Sequence, residues 1–116
     1  MDLQVTREEV SATTVVLHLA GRLNAAAAPE LKQAIQDAAG TGVQAVIVDM
    51  CDVTFMDSSG MAALVHGFKT LRAKGGSFAL SAVADQAETA LRISRLNTVF
   101  PIYADVEAAR LDLGGT

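Results

Sequence analysis

The residues with chemical potential in this chain are gathered in one short run, Val53-Thr54-Phe55-Met56-Asp57-Ser58-Ser59-Gly60-Met61. A serine hydroxyl beside a carboxylate has two chemical uses. It is a nucleophile if a base stands within hydrogen-bond reach, or it accepts a modifying group from another protein. The run follows an apolar stretch and precedes an amphipathic one, so it falls between a strand and the start of a helix. There the first N–H groups are unpaired and the helix dipole is positive. A phosphoryl group on a serine there would add about −1.5 to −2 charges and three strong acceptors. The plain alternative is capping, because Asp and Ser are the commonest N-cap residues. Gly60 departs from a plain cap. Glycine costs roughly 1 kcal/mol against Ala inside a helix, and a position without Cβ suits a close approach by another surface.

An enzyme built on Ser58 fails on spacing. The nucleophile elbow G-x-S-x-G is absent, since Met56 stands two residues before Ser58. His66 is eight residues further along the same helix, roughly 12 Å away at 1.5 Å per residue. His18 falls in a strand and reads as a half-exposed sheet residue. Gly67-Phe68-Lys69-Thr70 lacks the first glycine of a phosphate loop and is mid-helix. Lys69, Arg72 and Lys74 read as a solvated helix face or, secondarily, as rim charges of an interface. Cys51 follows the apolar strand and reads as a small core residue. Met50, Met56 and Met61 cluster at the junction, where Met56 and Met61 offer an adaptable apolar contact beside Ser58.

The elements that hold this run are legible from periodicity. Leu3 to Glu9 and Thr13 to Ala20 read as strands of a hairpin turning at Ser11 and Ala12, with Gly21 ending the second. Pro29 fits an early helical position, and Leu31, Ala34, Ile35 and Ala38 follow at helical spacing until Gly40 and Gly42. Val43 to Val48 is a nearly continuous apolar run, the pattern of a central strand buried on both faces. After the polar junction, Met61, Leu64, Val65, Phe68 and Leu71 form an apolar helical stripe that Gly75 and Gly76 close. Phe78 to Ser81 reads as a strand, Asp85 to Ser94 as a helix, and Val99 to Tyr103 as a last strand placed at an edge by Pro101. Asp105 caps a final helix ending near Leu113, and Gly114 to Thr116 should fray. The order β-β-α-β-α-β-α-β-α predicts an α/β domain spanning residues 1–116 with an ordered core of about 3–113. It is a mixed five-stranded sheet, an N-terminal hairpin plus largely parallel strands, packed with four helices.

Composition narrows the function classes. The chain has 116 residues, nine Lys and Arg against thirteen Asp and Glu, and a formal charge of −4. It is 51% hydrophobic and 19% charged, which excludes a disordered chain. No apolar run reaches the ~20 residues of a membrane span, and no basic, apolar leader opens the sequence. One cysteine permits no internal disulfide, and with two histidines it makes poor material for a metal cage. A mildly acidic chain lacks the basic patch that nucleic acid requires. The expectation is a small cytoplasmic protein, monomeric, without direct nucleic-acid binding.

The run from Asp52 to Gly60, ending Phe-Met-Asp-Ser-Ser-Gly-Met, resembles the signature of the STAS domain family, named for sulphate transporters and anti-sigma factor antagonists. Gly21-Arg22-Leu23-Asn24, the strand Val43 to Met50, and Leu71 to Gly76 stand at matching spacings, so the resemblance covers roughly Leu3 to Leu113. The size is that of the free-standing bacterial members. The resemblance implies an anti-sigma factor antagonist that works by partner switching in bacterial stress transcription. The unphosphorylated form binds an anti-sigma factor serine kinase, which then releases its sigma factor. The kinase phosphorylates the serine matching Ser58, and a serine phosphatase resets it. The resemblance makes Asn24, Met56, Asp57, Ser59, Gly60 and Met61 partner-binding residues, with Gly60 giving the kinase surface room to approach. No catalytic residue, metal or cofactor is implied for this chain, since ATP and magnesium belong to the kinase. Three positions depart from the family pattern. Asn24 stands where Asp is common and keeps the hydrogen-bonding shape without the charge. Ala27 replaces a common Thr or Ser cap, and Met61 replaces the usual Leu. Two other readings are weighed against this one: a STAS adaptor of a membrane transport complex that is never phosphorylated, and a small α/β ligand-binding protein or enzyme.

Overall fold

The computed structural model describes residues 3–40 and 42–113; the expected fraying of 114–116 and the outer limits of the 1–116 domain lie outside them. Five strands and four helices follow the expected order: β1 (Gln4–Glu9), β2 (Thr14–Leu23), α1 (Ala28–Ala38), β3 (Ala45–Met56), α2 (Ser58–Ala73), β4 (Ser77–Ser81), α3 (Asp85–Ile93), β5 (Ile102–Tyr103) and α4 (Val106–Leu113). The strands lie in one sheet in the order β1-β2-β3-β4-β5. β1 is antiparallel to β2 and the other pairs are parallel.

The apolar run places the sheet. Ala45 to Met50 is buried at every position, because side chains from both faces of β3 are covered. One face carries Val46 and Val48 with Val15, Leu17 and Leu19 of β2, and packs against Leu31 and Ile35 of α1, Leu64 and Leu71 of α2, and Leu91 of α3. The other face joins Val16, Ile47 and Ala109 of α4 in a smaller cluster. Helices α1 and α2 pack closely because Gly67 leaves no side chain between them: a Cβ there would meet Ile35 at 2.7 Å and Phe78 at 3.0 Å.

Three elements differ from expectation. β2 does not end at Gly21 but continues to Leu23. Gly21 takes φ +113, which its missing Cβ permits, and the pairing shifts register between Gly21 and Arg22. β3 extends through the polar junction to Met56, so Asp52 lies in a strand. The two long strands support each other past the end of β4, whose last pair with β3 is Ser81 with Asp49. The last strand shrinks to Ile102 and Tyr103, preceded by a 3-10 turn at Leu96–Thr98. Pro101 stands just before it and has no N–H for a ladder, while its carbonyl accepts from Leu80 N at 2.9 Å. Cys51 is exposed rather than a core residue, because it lies on the overhanging part of β3. Its thiol is pushed up to about 11 by desolvation, with hydrogen bonds and charge from Asp49 and Asp52 adding to that.

Candidate functional site

The overhang of β2 and β3 carries the site. Leu23 pairs with Met56 at its tip, so the turn after Leu23 and the turn after Met56 emerge side by side at the C-terminal ends of parallel strands. That is where open α/β sheets gather their functional groups. Thr54 Oγ1 donates to the Gly21 carbonyl at 3.2 Å, and the Arg22 guanidinium sits 4.6 Å from the centre of the Phe55 ring. Both contacts join the overhanging strands.

A single residue separates β3 from α2, and it is Asp57. Its backbone is extended, and its Oδ1 accepts from Gly60 N at 3.0 Å, so it is the N-cap of α2. Asp57 N–H donates to the Leu23 carbonyl at 3.2 Å, and the Asp57 carbonyl receives Met61 N–H at 3.0 Å. Ser58 is the first helical residue and is exposed, and Ser59 is half-buried. The cap is made by Asp57, which leaves the Ser58 hydroxyl outside it.

Asn24 lies half-buried in the neighbouring turn. Its Oδ1 accepts from Ala27 N at 3.1 Å, and its carbonyl accepts from Ala27 N and Ala28 N. The side chain therefore orders the entry to α1, where the N-cap position, Ala27, has no side-chain acceptor of its own. Met61 is half-buried on α2, with its sulfur 3.5 Å from Ser94 Oγ at the end of α3.

Two of the expected contact residues are interior. Met56 is 1% exposed. Gly60 is buried, and a Cβ on it would stand 2.3 Å from the Leu23 carbonyl oxygen and 2.7 Å from Leu23 Cγ. The missing side chain thus makes room for β2, and no space is left there for a partner. Asn24, Asp57, Ser58 and Ser59 come together at this end of the sheet, with Met61 one turn into the helix. Met56 and Gly60 support them from inside.

Sequence reasoning missed Gln86. From the first turn of α3 its side chain reaches Met56: Met56 N–H donates to Oε1 at 2.7 Å, and Nε2 donates to the Met56 carbonyl at 2.9 Å. No spacing rule links residues thirty positions apart. Leu23 was equally illegible as the carbonyl on which the turn is seated. Lys74, read as part of a solvated face, donates instead to the carbonyls of Ala39 and Gly40 at the end of α1. Arg72 lies over the Phe68 ring.

Neither histidine stands at the turn that carries Ser58. His66 is exposed on α2. His18 lies between β1 and β3, with Nδ1 2.7 Å from Asp49 Oδ2 and Nε2 2.7 Å from Glu8 Oε1. Desolvation pulls its pKa down, but the hydrogen bonds to Glu8 and Asp49 and their charges outweigh that and raise it. Both ring nitrogens are engaged on the far side of the sheet from α2. Two clefts of about 240 and 480 Å³ lie elsewhere, one against α3 at Leu91 and Ile102, the other between β1 and α1 at Arg7 and Asp37. Neither is lined by the Asp57–Gly60 turn. Among the described residues no group of three or more His, Cys, Asp or Glu could hold a metal ion, and no helix is long and apolar enough to cross a membrane.

The STAS domain model matches residues 5–109, and the chain belongs to the STAS domain family. It is 24% identical over 102 residues to the anti-sigma-B factor antagonist of Listeria monocytogenes, covering 88% of this chain and 90% of that protein. Its fold superposes on the crystal structure of an anti-sigma factor antagonist from Mycobacterium paratuberculosis with a TM-score of 0.85 at 22% identity, covering 96% and 93% of the two chains. The Bacillus cell fate determinant SpoIIAA in its phosphorylated form matches with a TM-score of 0.72 at 26% identity, covering 91% and 96%.

Proposed function

We propose that this chain is an anti-sigma factor antagonist gated by phosphorylation of Ser58. Unphosphorylated, it docks on an anti-sigma factor serine kinase and frees that protein's sigma factor. The kinase, with its own ATP and magnesium, phosphorylates Ser58 and so ends the association. A serine phosphatase restores the hydroxyl. The chain itself is a binding module and supplies no catalysis or cofactor.

The observation that carries this reading is the division of labour at the start of α2. Asp57 caps the helix, so the exposed Ser58 hydroxyl is free to react while its backbone stays anchored. A phosphoryl group there faces the positive end of α2 and is tolerated by the fold. The same group at a protein interface is an unpaired double charge, and burying it costs several kcal/mol. A penalty of about 4 kcal/mol weakens binding roughly a thousandfold, which switches association without refolding. The names of the related antagonists, and a family member studied in a phosphorylated form, support the same reading.

The test uses an anti-sigma factor serine kinase from the same genome, with ATP and magnesium. Mass spectrometry should find one phosphate, at Ser58. In calorimetry Ser58→Ala should bind the kinase as the parent does, with or without ATP. Ser58→Glu should bind about tenfold or more weakly, one carboxylate imitating phosphate incompletely. Equal binding by both variants, with no phosphate on the parent, would favour the transport-complex adaptor.

A further inference from the structure

The end of β3 poses a backbone problem that a single side chain solves. Beyond the Asp49–Ser81 pair β4 no longer runs beside β3. Met56, the last residue of β3, is nevertheless buried. Its N–H and carbonyl therefore need partners from somewhere other than a strand. Gln86 provides both, one acceptor and one donor from the same carboxamide, which is the pair a neighbouring strand would present. Gln86 is itself exposed, so burial does not hold it in place.

The entry to α3 is shaped to deliver it. Ala82 and Asp85, two of the four residues before Gln86, both take φ +56. Residues with a Cβ avoid that region, and they keep it only where the surroundings over-determine the backbone. The two residues before Ser58 are thus held from opposite sides. Asp57 N–H is fastened to β2 through the Leu23 carbonyl, and Met56 is fastened to α3 through Gln86.

We propose that Gln86 is a positioning residue for phosphoryl transfer to Ser58, a role that rests on reading Ser58 as the phosphoryl acceptor. Its carboxamide acts as a one-residue substitute strand that sets the direction of the Ser58 hydroxyl. Phosphoryl transfer depends on alignment of the attacking oxygen with the leaving group. A turn fastened to β2 alone leaves that alignment loose, while the contact surface around it stays in place.

Two variants test this. Gln86→Leu removes both bonds with little change in volume. Gln86→Glu can still accept from Met56 N–H but has no proton to return to the Met56 carbonyl at neutral pH. In the purified chain, NMR hydrogen exchange at the Met56 amide should accelerate about tenfold in Gln86→Leu. With the anti-sigma factor serine kinase, ATP and magnesium, kcat for Ser58 should fall about tenfold while KM stays within about twofold. Gln86→Glu should fall between that variant and the parent. The midpoint of thermal unfolding should move by no more than about 4–8 °C, so the chain stays folded in the assay. Unchanged exchange at Met56, or faster exchange with unchanged kcat, would overturn the positioning role alone. A parent chain that takes no phosphate at Ser58 would overturn the acceptor reading, and this role with it.

Discussion

Two polar clusters sit on β3, and they are built on opposite plans. At the tip of the strand Asp57, Gln86 and the Leu23 carbonyl bind backbone atoms, and Ser58 is left exposed outside the cap. Seven residues earlier, Asp49 is satisfied by His18 Nδ1 and by Cys51 N at 3.1 Å, and His18 is satisfied again by Glu8. There the imidazole and the two carboxylates hydrogen-bond to one another. The exposed Ser58 hydroxyl is set apart less by its own contacts than by how completely the backbone beneath it is held. A network of this kind stiffens the sheet, with both His18 ring nitrogens already engaged.

The largest effect is expected at Gly60. Gly60→Val places carbon against the Leu23 carbonyl, which cannot give way without moving β2. Overpacking of this kind should cost about 3 kcal/mol, read as a fall in the urea midpoint. A loss of kinase binding with unaltered stability would return Gly60 to the surface role expected from sequence.

A smaller effect sharpens the contrast between the cap and the hydroxyl. Asp57→Ala should cost about 1 kcal/mol through the lost bond to Gly60 N–H. Ser58→Ala should stay within about 0.5 kcal/mol. Equal losses in the two variants would mean that the hydroxyl shares the structural work of the carboxylate.

The smallest effect lies in the other cluster and is read through pH. The His18 pKa is raised by folding, so its contribution is fully present below the ordinary value of 6.5 and is lost as pH rises through the raised value. The Asp49 carboxyl feels burial most strongly, which pushes its pKa up. The hydrogen bonds from His18 and Cys51 and the His18 charge outweigh that and lower it. Its contribution is present above the ordinary 3.8 and is lost as pH falls through the lowered value. Stability from this cluster should therefore be greatest between pH 4 and 6 (roughly, from these two directions) and decline toward pH 8. His18→Gln should flatten that decline in urea unfolding, while kinase binding at a fixed pH is unaffected. A decline equally steep in the variant would place the titration elsewhere.

Much of the fold is legible because periodicity is a local property. The apolar run at Val43 to Val48 reads as a central strand, and Pro29, Asp57 and Asp105 mark helix starts that the structure bears out, Asp105 by accepting from Ala108 N at 2.8 Å. The errors fall where a local rule met a distant partner. Gly21 reads as a stop but only borders a register shift, where β3 carries the extra residue Thr54, because β3 offers pairing beyond it. Asp52 and Thr54 read as a loop but are strand, because β2 runs alongside. Cys51 reads as core but is exposed, because β4 has already ended.

The sequence by itself determined the kind of element at nearly every stage and the placing of Ser58 at a strand-to-helix turn, since hydrophobic spacing acts over a few residues. Only the tertiary structure decided that Asp57 rather than a serine makes the cap, that Gly60 and Met56 face inward, and that Gln86 closes the tip of β3. Those outcomes depend on which main-chain donor or acceptor across the sheet lacks a partner, and a chain reveals that only when strands of unequal length lie side by side.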